Sequence, residues 1–310
     1  MEEQRHRPVM VEEVIRYLAP AKGEVIVDGT LGTGGHAEAI LERIAPTGRL
    51  VGIDRDPEAI AEARVRLGSF DAAVGYHREN YRDIQSVLDG EGIEAVDGVL
   101  LDLGVSSLQF DDPSRGFSFR GEGPLDMRMG PDAERTAADI VNEDSEDELT
   151  SILYRYGEER WARRIAHFIY EARGRRPIRT TTELEHIVED AVPAGARRGR
   201  KHPARKTFQA LRIAVNHELD DLKEGITAAI GCLAPSGRIV VLSYHSLEDR
   251  VVKHTFGSLA KGSDYPPGHP LETGPVLFLL TRKPVTPGEE EIESNPRARS
   301  AKLRAARRVA

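Results

Sequence analysis

Two hydrophobic periods alternate along the first hundred residues. Short apolar runs rich in β-branched side chains predict buried strands. These runs lie at residues 25–27, 49–56, 73–77 and 96–102. Between them apolar residues recur every three to four positions, which predicts helices with one buried face. Such alternation is typical of a parallel, doubly wound sheet, whose ligands bind beyond the carboxyl ends of the strands. Asp28, Asp54 and Asp102 all lie at such ends.

The first strand leads directly into a glycine-rich turn, residues 29–35, and then into a helix. In this arrangement backbone N–H groups and a helix N-terminus face a nucleotide-like ligand, and glycine lets the ligand come close. Gly32, Gly34 and Ala37 fit the spacing G-x-G-x-x-G/A of dinucleotide-binding proteins. The same spacing occurs in tight strand–helix turns without a ligand, so this pattern alone leaves both interpretations open.

Two carboxylates favour one ligand class. Asp28 would repel a pyrophosphate, but it suits a ligand that carries an ammonium group. Asp54 has the position of the acid that binds ribose hydroxyls in nucleotide-binding sheets. S-adenosylmethionine has an amino-acid end, a sulfonium cation and no phosphates. The sequence therefore favours S-adenosylmethionine over NAD as the cofactor.

The alternation stops after residue 102. Residues 103–131 are rich in Gly, Ser, Asp and Pro and are too long for an ordinary connection, which indicates an active-site loop or lid. Four helical patterns without strands then predict an inserted domain. They lie at residues 133–142, 145–156, 158–173 and 181–191. A long helix at 207–233 and strands at 238–243 and 276–281 are expected to complete the sheet. The expected segments are a first sheet part at 1–110, a loop and helical insertion at 111–206, a second sheet part at 207–285 and a basic tail at 286–310.

The composition fits a globular protein, since 39% of the 310 residues are hydrophobic and 30% are charged. A single cysteine, Cys232, excludes an internal disulfide framework and indicates a reducing compartment. The chain has no apolar run that could span a bilayer and no signal-peptide core, so we expect a cytoplasmic protein without a membrane partner. The histidines lack metal-ligand spacing, and no metal is expected.

The net charge of −8 requires a polyanionic partner to bind a local basic patch. Two basic runs, 197–206 and 297–308, contain no acid and fit phosphate contacts to RNA or DNA. A run of charge is more often a solvated face, but the absence of acid within each run favours nucleic acid.

Methyl transfer from a sulfonium mainly requires that the acceptor be positioned. For an exocyclic amine, hydrogen-bond acceptors at a strand end would take up the developing positive charge. The catalytic candidates are Asp102, Ser106 and His245. Equally open alternatives are a cofactor contact for Asp102, a turn-forming hydrogen bond for Ser106 and a satisfied strand-end histidine for His245. Tyr81, after the third strand, is placed either to stack on adenine or to pack in the core.

Several segments together resemble one family, the bacterial ribosomal small-subunit RNA cytosine-N4 methyltransferases. They cover nearly the whole chain in order, and GPLDMRM, SYHSLEDR and NPRARSAKLR are far more specific than the glycine turn. The segments are His6-x-Pro8-Val9-Met10, DGTLGTGGHA at 28–37, GIDRDPEA at 52–59, LLDLGVSS at 100–107, Gln109, RGFSF at 115–119, GPLDMRM at 123–129, TFQALRIAVNHEL at 207–219, SYHSLEDR at 243–250 and NPRARSAKLR at 295–304.

The resemblance implies a Rossmann-like class I methyltransferase sheet with an inserted all-helical domain. It implies N4 methylation of a decoding-centre cytosine in 16S ribosomal RNA within the small ribosomal subunit, and a homodimer is an open option. By position it implies that S-adenosylmethionine is bound by Gly34, Gly35, His36, Asp54, Tyr81, Asp102 and Gln109. Family members commonly have Phe at position 81, and Tyr keeps the ring.

Two alternatives remain open from the sequence. An NAD-dependent oxidoreductase would explain the glycine spacing but not Asp28. A non-catalytic RNA-binding assembly factor would keep the fold without the reaction. The Asp/Asn-Pro-Pro-Tyr/Phe motif of many DNA amine methyltransferases is absent after the fourth strand, where LDLGVSS stands, so a DNA acceptor is disfavoured.

Overall fold

The computed structural model describes residues 8–196, 202–262 and 274–309. The chain forms two compact units. One unit comprises Met1–Gly104 and Leu219–Ala310, and the other comprises Val105–Glu218.

A seven-stranded sheet forms the centre of the first unit. Its strands are β1 (Val25–Asp28), β2 (Arg49–Asp54), β3 (Val74–Arg78), β4 (Val96–Asp102), β5 (Leu233–Ser243), β6 (Leu277–Leu279) and β7 (Lys302–Arg308). The strand order is β3-β2-β1-β4-β5-β7-β6. The strands from β3 to β5 pair in parallel, and β7 is antiparallel to both of its neighbours. This topology confirms the predicted Rossmann-like class.

Helices of the first unit cover both faces of this sheet. Along the chain the helices are α1 (Val11–Leu18), α2 (Gly35–Ile44), α3 (Pro57–Arg66), α4 (Ile84–Glu91), α5 (Ser107–Asp111), α6 (Ala137–Glu143), α7 (Glu146–Gly157), α8 (Ala162–Arg173), α9 (Thr181–Ala191), α10 (Arg205–Asn216), α11 (Glu218–Cys232), α12 (Ser246–Lys261) and α13 (Glu289–Ser294). Short 3-10 turns lie at Gly68–Ala73, Tyr81–Asp83, Pro113–Arg115 and Pro296–Ser300. In the described part of the chain, every helix is too short or too polar to cross a membrane.

Consecutive residues of the central strands pack in different hydrophobic cores. In β1, Ile26 packs in the cluster that contains α1 and α2 residues, whereas Val27 packs in the cluster that contains α4, α11 and α12 residues. Leu100 and Leu101 of β4 divide in the same way. Because side chains alternate across a strand and both faces are covered, the central strands are apolar at nearly every position.

The second unit has a separate apolar core, formed by α6 to α10 and the loop before them. Capping boxes at Thr136, Ser145 and Thr180 begin α6, α7 and α9. The loop that the sequence predicts at 103–131 is packed rather than loose, since Phe117, Leu125 and Met127 are buried in this core.

The single helix expected at 207–233 is wrong. The structure has two helices, α10 and α11, separated at His217, whose φ of 52° is left-handed and ends α10. Phe208 and Leu211 of α10 belong to the core of the second unit, whereas Ile226 of α11 belongs to a core of the first. The chain therefore passes from one unit to the other at 218/219, and the limit expected at 206 lies inside the second unit.

The basic tail expected at 286–310 also needs correction. Its described residues form α13, a 3-10 turn and β7, and β7 lies inside the sheet between β5 and β6. Leu303, Ala305 and Ala306 are buried. The small and apolar residues of this segment complete the sheet, and three of its cations, Lys302, Arg304 and Arg308, bind acceptors within the protein.

Candidate active site

The carboxyl ends of three adjacent strands place acids at one edge of the sheet. Asp28 ends β1, Asp54 ends β2 and Asp102 ends β4. Asp28 is only 1% exposed, and its Oδ1 accepts a hydrogen bond of 3.2 Å from the Thr30 N–H. The structure thus brings together the three acids that the sequence placed at strand ends.

Asp54 fixes the glycine turn. Its Oδ2 accepts a 2.8 Å hydrogen bond from the Gly32 N–H, and its Oδ1 accepts a 2.9 Å bond from the Asp56 N–H. Each carboxylate oxygen can accept more than one hydrogen bond, so both keep capacity for a ligand hydroxyl. Backbone hydrogen bonds thus fix the Asp54 carboxylate and leave part of its accepting capacity for a ligand.

The start of α2 continues this edge. Gly34, with φ of 80°, is the N-cap, and α2 begins at Gly35. The next residue, His36, is buried, and its Nε2 lies 2.8 Å from the Val9 carbonyl oxygen. Its Nδ1 lies 3.5 Å from Asp102 Oδ2. Because Nε2 must donate to the carbonyl, Nδ1 donates to Asp102 only when the ring is protonated.

Asp102 has two further partners that the sequence reasoning missed as site residues. Its Oδ1 accepts a 2.7 Å hydrogen bond from the Tyr244 hydroxyl, and its backbone N–H donates to Thr30 Oγ1 at 2.6 Å. Burial and the negative charge of Asp102 raise the pKa of Tyr244 well above its usual value, so the hydroxyl remains a donor. The available signal was the position of Tyr244 directly after a buried strand, beside the singled-out His245.

The three acids have raised pKa values. Burial, together with repulsion from Asp102 and Asp54, raises the pKa of Asp28 to about 7, although His36 and the Thr30 N–H oppose this shift. Burial raises the pKa of Asp54 to about 6 and also raises the pKa of Asp102. Within the described parts of the chain, no Lys or Arg forms an ion pair with these acids. Buried or half-buried carboxylates with no Lys or Arg partner fit a positively charged ligand.

Tyr81 lies beyond the end of β3, in the 3-10 turn Tyr81–Asp83. Two glycines make room for it. A Cβ at Gly29 would lie 3.2 Å from Tyr81 Cβ, and a Cβ at Gly225 on α11 would lie 2.4 Å from its ring. The half-buried ring therefore packs against the core, as one sequence interpretation expects, and its position beside the site leaves the adenine contact a prediction.

Ser106 and Gln109 belong to the second unit. They form a capping box at the start of α5: Ser106 Oγ accepts from the Gln109 N–H at 3.3 Å, and Gln109 Oε1 accepts from the Ser106 N–H at 3.1 Å. Gln109 is buried, and its Nε2 also donates to the Met129 carbonyl oxygen. This geometry favours the turn-forming interpretation of Ser106.

His245 is the N-cap of α12. Its Nδ1 accepts a 3.3 Å hydrogen bond from the Glu248 N–H. In the neutral ring the proton is therefore on Nε2, which lies 3.1 Å from a Glu248 carboxylate oxygen. Glu248 is buried and also accepts from the Tyr244 N–H at 2.7 Å. In this tautomer His245 can donate a hydrogen bond but has no free nitrogen to act as a base.

One histidine–carboxylate group in the second unit resembles a metal site. His202 Nε2 lies 3.1 Å from a Glu185 oxygen and 3.4 Å from a Glu189 oxygen. Its Nδ1 accepts from the Ala204 N–H, and its ring stacks on Phe119 at 4.5 Å. Nδ1 therefore uses its lone pair, Nε2 carries the proton, and the carboxylates act as its acceptors.

The C-terminal basic run, 297–308, is largely used inside the first unit. Arg304 is 7% exposed and donates to Asp249 at 2.7 Å, and Lys302 donates to the same carboxylate at 3.2 Å. Arg308 donates to the Gly231 and Leu233 carbonyl oxygens. Three of its cations thus hold β7 in place, and their assignment as phosphate contacts is corrected.

Only part of the other basic run can be assessed, because 197–201 lies outside the described residues, as does His6. In the remainder, Lys206 donates to the Glu158 carbonyl oxygen at 2.6 Å and Arg205 is exposed. The contact of this run with nucleic acid stays a prediction.

A Rossmann-like sheet whose strand-end carboxylates have no Lys or Arg partner is typical of a protein that binds a cationic, nucleoside-like ligand. The chain belongs to the MraW methylase family, whose model matches residues 3–309. It is thus an S-adenosylmethionine-dependent methyltransferase, which confirms the predicted enzyme class and cofactor. The oxidoreductase and non-catalytic alternatives are excluded by this membership.

Full-length relatives agree with the family. The chain is 50% identical over 308 residues to ribosomal RNA small subunit methyltransferase H of Heliobacterium mobile, covering 98% of this chain and 99% of that protein. It is 52% identical over 307 residues to the protein of the same name from Halothermothrix orenii, covering 98% of each. Among solved structures, an rRNA methylase from Streptococcus thermophilus has a TM-score of 0.44 at 11% identity, covering 99% of this chain and 100% of that chain, and this likeness adds nothing to the assignment.

Proposed function

We propose that the protein transfers a methyl group from S-adenosylmethionine to the exocyclic N4 amine of a decoding-centre cytosine in 16S ribosomal RNA of the small subunit. The observation that carries the proposal is the set of acids Asp28, Asp54 and Asp102 at adjacent strand ends, none of which has a Lys or Arg partner within the described residues. Relatives about half identical over the full length are named as small-subunit ribosomal RNA methyltransferases, which supports the RNA acceptor.

The proposed cofactor contacts follow from the acid geometry. Asp54 accepts hydrogen bonds from ribose hydroxyls with the lone pairs that Gly32 and Asp56 leave free. Asp28 supplies a buried negative charge for the cationic end of the cofactor. The bound cofactor supplies an activated methyl group. The proposed binding set is Gly34, Gly35, His36, Asp54, Tyr81, Asp102 and Gln109.

The acceptor amine needs hydrogen-bond acceptors, because its lone pair is delocalised into the base. Asp102 is the best candidate, since Tyr244 fixes Oδ1 at 2.7 Å while Oδ2 faces His36. His245 stays a catalytic candidate from the sequence alone, because its Nε2 is buried beside Glu248. Ser106 remains the least supported catalytic candidate, because its hydroxyl caps α5.

The outward side of α8 is proposed as an RNA contact. Residues 160–179 contain seven arginines and a single carboxylate, Glu171. The side chains of Ala162, Ile165, Ala166 and Ile169 face the core. Arg160 and Arg163 are exposed and, within the described residues, have no carboxylate partner. We name three exposed cations the α8 face: Arg163 on α8, Arg160 just before it and Arg175 just after it.

Aromatic rings accompany these cations. The Arg160 guanidinium lies 5.3 Å from the Trp161 ring centre, and Arg173 lies 4.8 Å from the ring centre of Tyr170, which is 45% exposed. Exposed cations with interleaved aromatic side chains fit the phosphates and bases of single-stranded RNA. The α8 face therefore offers the local basic patch that an acidic protein needs.

The direct test is transfer of labelled methyl from S-adenosylmethionine to small ribosomal subunits that lack the modification, followed by mass analysis of nucleosides. We expect N4-methylcytidine at a decoding-centre position. Free 16S RNA, assayed in parallel, identifies the preferred state of the substrate. Cofactor binding without incorporation into either RNA substrate would contradict the proposal.

A cytoplasmic location follows from this substrate and belongs to the proposal. A homodimer remains an open option, and sedimentation velocity with and without RNA tests it. A monomer under both conditions would contradict it.

A further inference from the structure

Asp221 on α11 lies outside every motif that identified the cofactor site. It is 3% exposed. Three donors from two separate loops converge on its carboxylate: Asn80 Nδ2 at 2.6 Å, Arg82 at 2.7 Å and Arg55 at 3.4 Å. A buried carboxylate with this many charged and polar donors holds those donors strongly.

These donors flank the two proposed cofactor residues. Arg55 directly follows Asp54 at the end of β2. Asn80 and Arg82 stand on either side of Tyr81, and Asn80 Oδ1 also accepts from the Arg82 N–H at 3.1 Å, which caps the turn. The Asp221 carboxylate therefore links the loop after β2 to the loop after β3.

Gly225 completes the arrangement one helical turn further along α11, on the same face as Asp221. Any Cβ at Gly225 would lie 2.4 Å and 2.5 Å from two ring carbons of Tyr81. A ring carbon cannot approach that closely, so only glycine allows the ring its present position. Asp221 holds the backbone of the turn, and Gly225 leaves the space for its side chain.

We propose that Asp221 is a positioning residue for cofactor binding, which joins the β2 and β3 loops so that Asp54 and Tyr81 take the ribose and adenine of S-adenosylmethionine together. This inference rests on the proposed function of those two residues. Asp221 is not proposed to contact the reacting atoms; it acts through the geometry of the two loops that it joins.

The test is a double-mutant cycle on S-adenosylmethionine affinity, measured by calorimetry on the full chain without RNA. Asp221→Asn keeps the size of the side chain but turns one acceptor into a donor that faces Asn80 and Arg82. We expect it to weaken binding by about tenfold, as the loss of hydrogen bonds to a charged group predicts. Tyr81→Ala should weaken binding as well, and the double variant should lose clearly less affinity than the two single losses combined, because part of the Asp221 effect runs through Tyr81.

Two further measurements separate positioning from a loss of fold. Asp221→Asn should raise KM for S-adenosylmethionine while kcat at saturating cofactor and KM for RNA stay within about twofold. Gly225→Ala should give the same pattern from the other end of the arrangement. The matched control is Asp220→Asn, an exposed neighbour on α11 that should bind like the wild type.

The outcomes distinguish this proposal from the proposed function. If Tyr81→Ala and Asp54→Ala both bind the cofactor as tightly as the wild type, the proposed contacts are wrong and the role of Asp221 falls with them. If those variants bind weakly but Asp221→Asn binds normally, or if its effect adds fully to that of Tyr81→Ala, only the role of Asp221 is overturned.

Discussion

The pKa values of the strand-end aspartates and of Asp249 are shifted in opposite directions. Asp28 and Asp54 end strands of the sheet, whereas Asp249 lies on α12 and contacts β7. Burial raises the pKa values of Asp28 and Asp54 to about 7 and about 6, because within the described residues neither has a Lys or Arg partner and the opposing effect of His36 on Asp28 is smaller than that of burial. Burial also acts on Asp249, but hydrogen bonds from Arg304 and Lys302 outweigh it and lower the pKa of that carboxyl. Carboxylates without a Lys or Arg partner therefore indicate a ligand site here, whereas the carboxylate with such partners stabilises the fold.

The largest expected effect is on stability and comes from breaking the ion pair between Asp249 and Arg304. Asp249→Ala leaves Arg304 buried without its carboxylate, and we expect a loss of about 3 kcal/mol in the free energy of unfolding. Urea denaturation measures it. The double variant Asp249→Ala/Arg304→Ala should recover part of the loss, because no unpaired charge remains. A loss below about 0.5 kcal/mol would place the pair among ordinary surface ion pairs.

At the strand ends, where the acids have no Lys or Arg partner among the described residues, a substitution should change the affinity for the cofactor instead. Asp54→Ala removes the acceptor for the ribose hydroxyls, and we expect S-adenosylmethionine affinity to fall by about 100-fold with the fold retained. Calorimetry measures the affinity, and Asp220→Ala is the exposed-acid control. Undiminished affinity would refute the ribose assignment and remove the contrast with Asp249.

The pH dependence sharpens the same contrast. A cationic cofactor prefers ionised acids, so its affinity should rise as pH increases through the raised pKa values of about 6 and about 7. The expected slope is about tenfold per pH unit below them for each carboxylate that must ionise. Without cofactor the sign reverses. Between pH 4 and 7 the folded state binds more protons than the unfolded state at these acids, so their contribution to stability falls as pH rises.

Asp28→Asn provides the matched variant for this pH experiment. It should flatten both profiles, since it removes the group with the pKa of about 7. Denaturation and cofactor titrations at pH 5, 6, 7 and 8 measure the two slopes. An affinity that is independent of pH over this range would mean that the cofactor does not bind beside ionising acids.

The smallest expected effect concerns the cations. Changing Arg160, Arg163 and Arg175 of the α8 face to alanine should weaken RNA binding and reduce the slope of log affinity against log salt by about 2, at roughly 0.7 per phosphate contact. Fluorescence anisotropy across a salt series measures the slope. Changing Arg16, Lys22 and Arg43, exposed cations of the first unit, is the control. An unchanged slope would contradict the α8 face.

Much of the sheet and its acidic edge could be predicted because the signals are local. Apolar runs give the buried strands, and the carboxyl ends of parallel strands must share an edge, which brings Asp28, Asp54 and Asp102 together. The helices α6 to α9 were predicted within a few residues, since their periods and their capping residues lie within each helix.

The missed features depend on distant partners. The residues of β7 resemble a solvated basic run, and only the contact with Asp249 on α12 shows why they are buried. The break at His217 has no Gly or Pro to announce it, because the left-handed conformation falls on a histidine. The roles of Tyr244 and Asp221 become visible only in the structure. Tyr244 binds Asp102 and Asp221 binds Asn80, and both partners are far away along the chain.

The place of β7 has a consequence for the order of folding. β6 pairs only with β7, and β7 pairs with β5 across about sixty intervening residues. Among the described strands β6 therefore joins the sheet only after residues 302–308 have docked, whereas β1, β2 and β3 can pair earlier because these neighbours lie much closer together along the chain. Asp28 and Asp54 thus lie on the strands with the most local pairings, whereas the position of Asp102 on β4 depends on a pairing with β1 that spans a much longer stretch of chain.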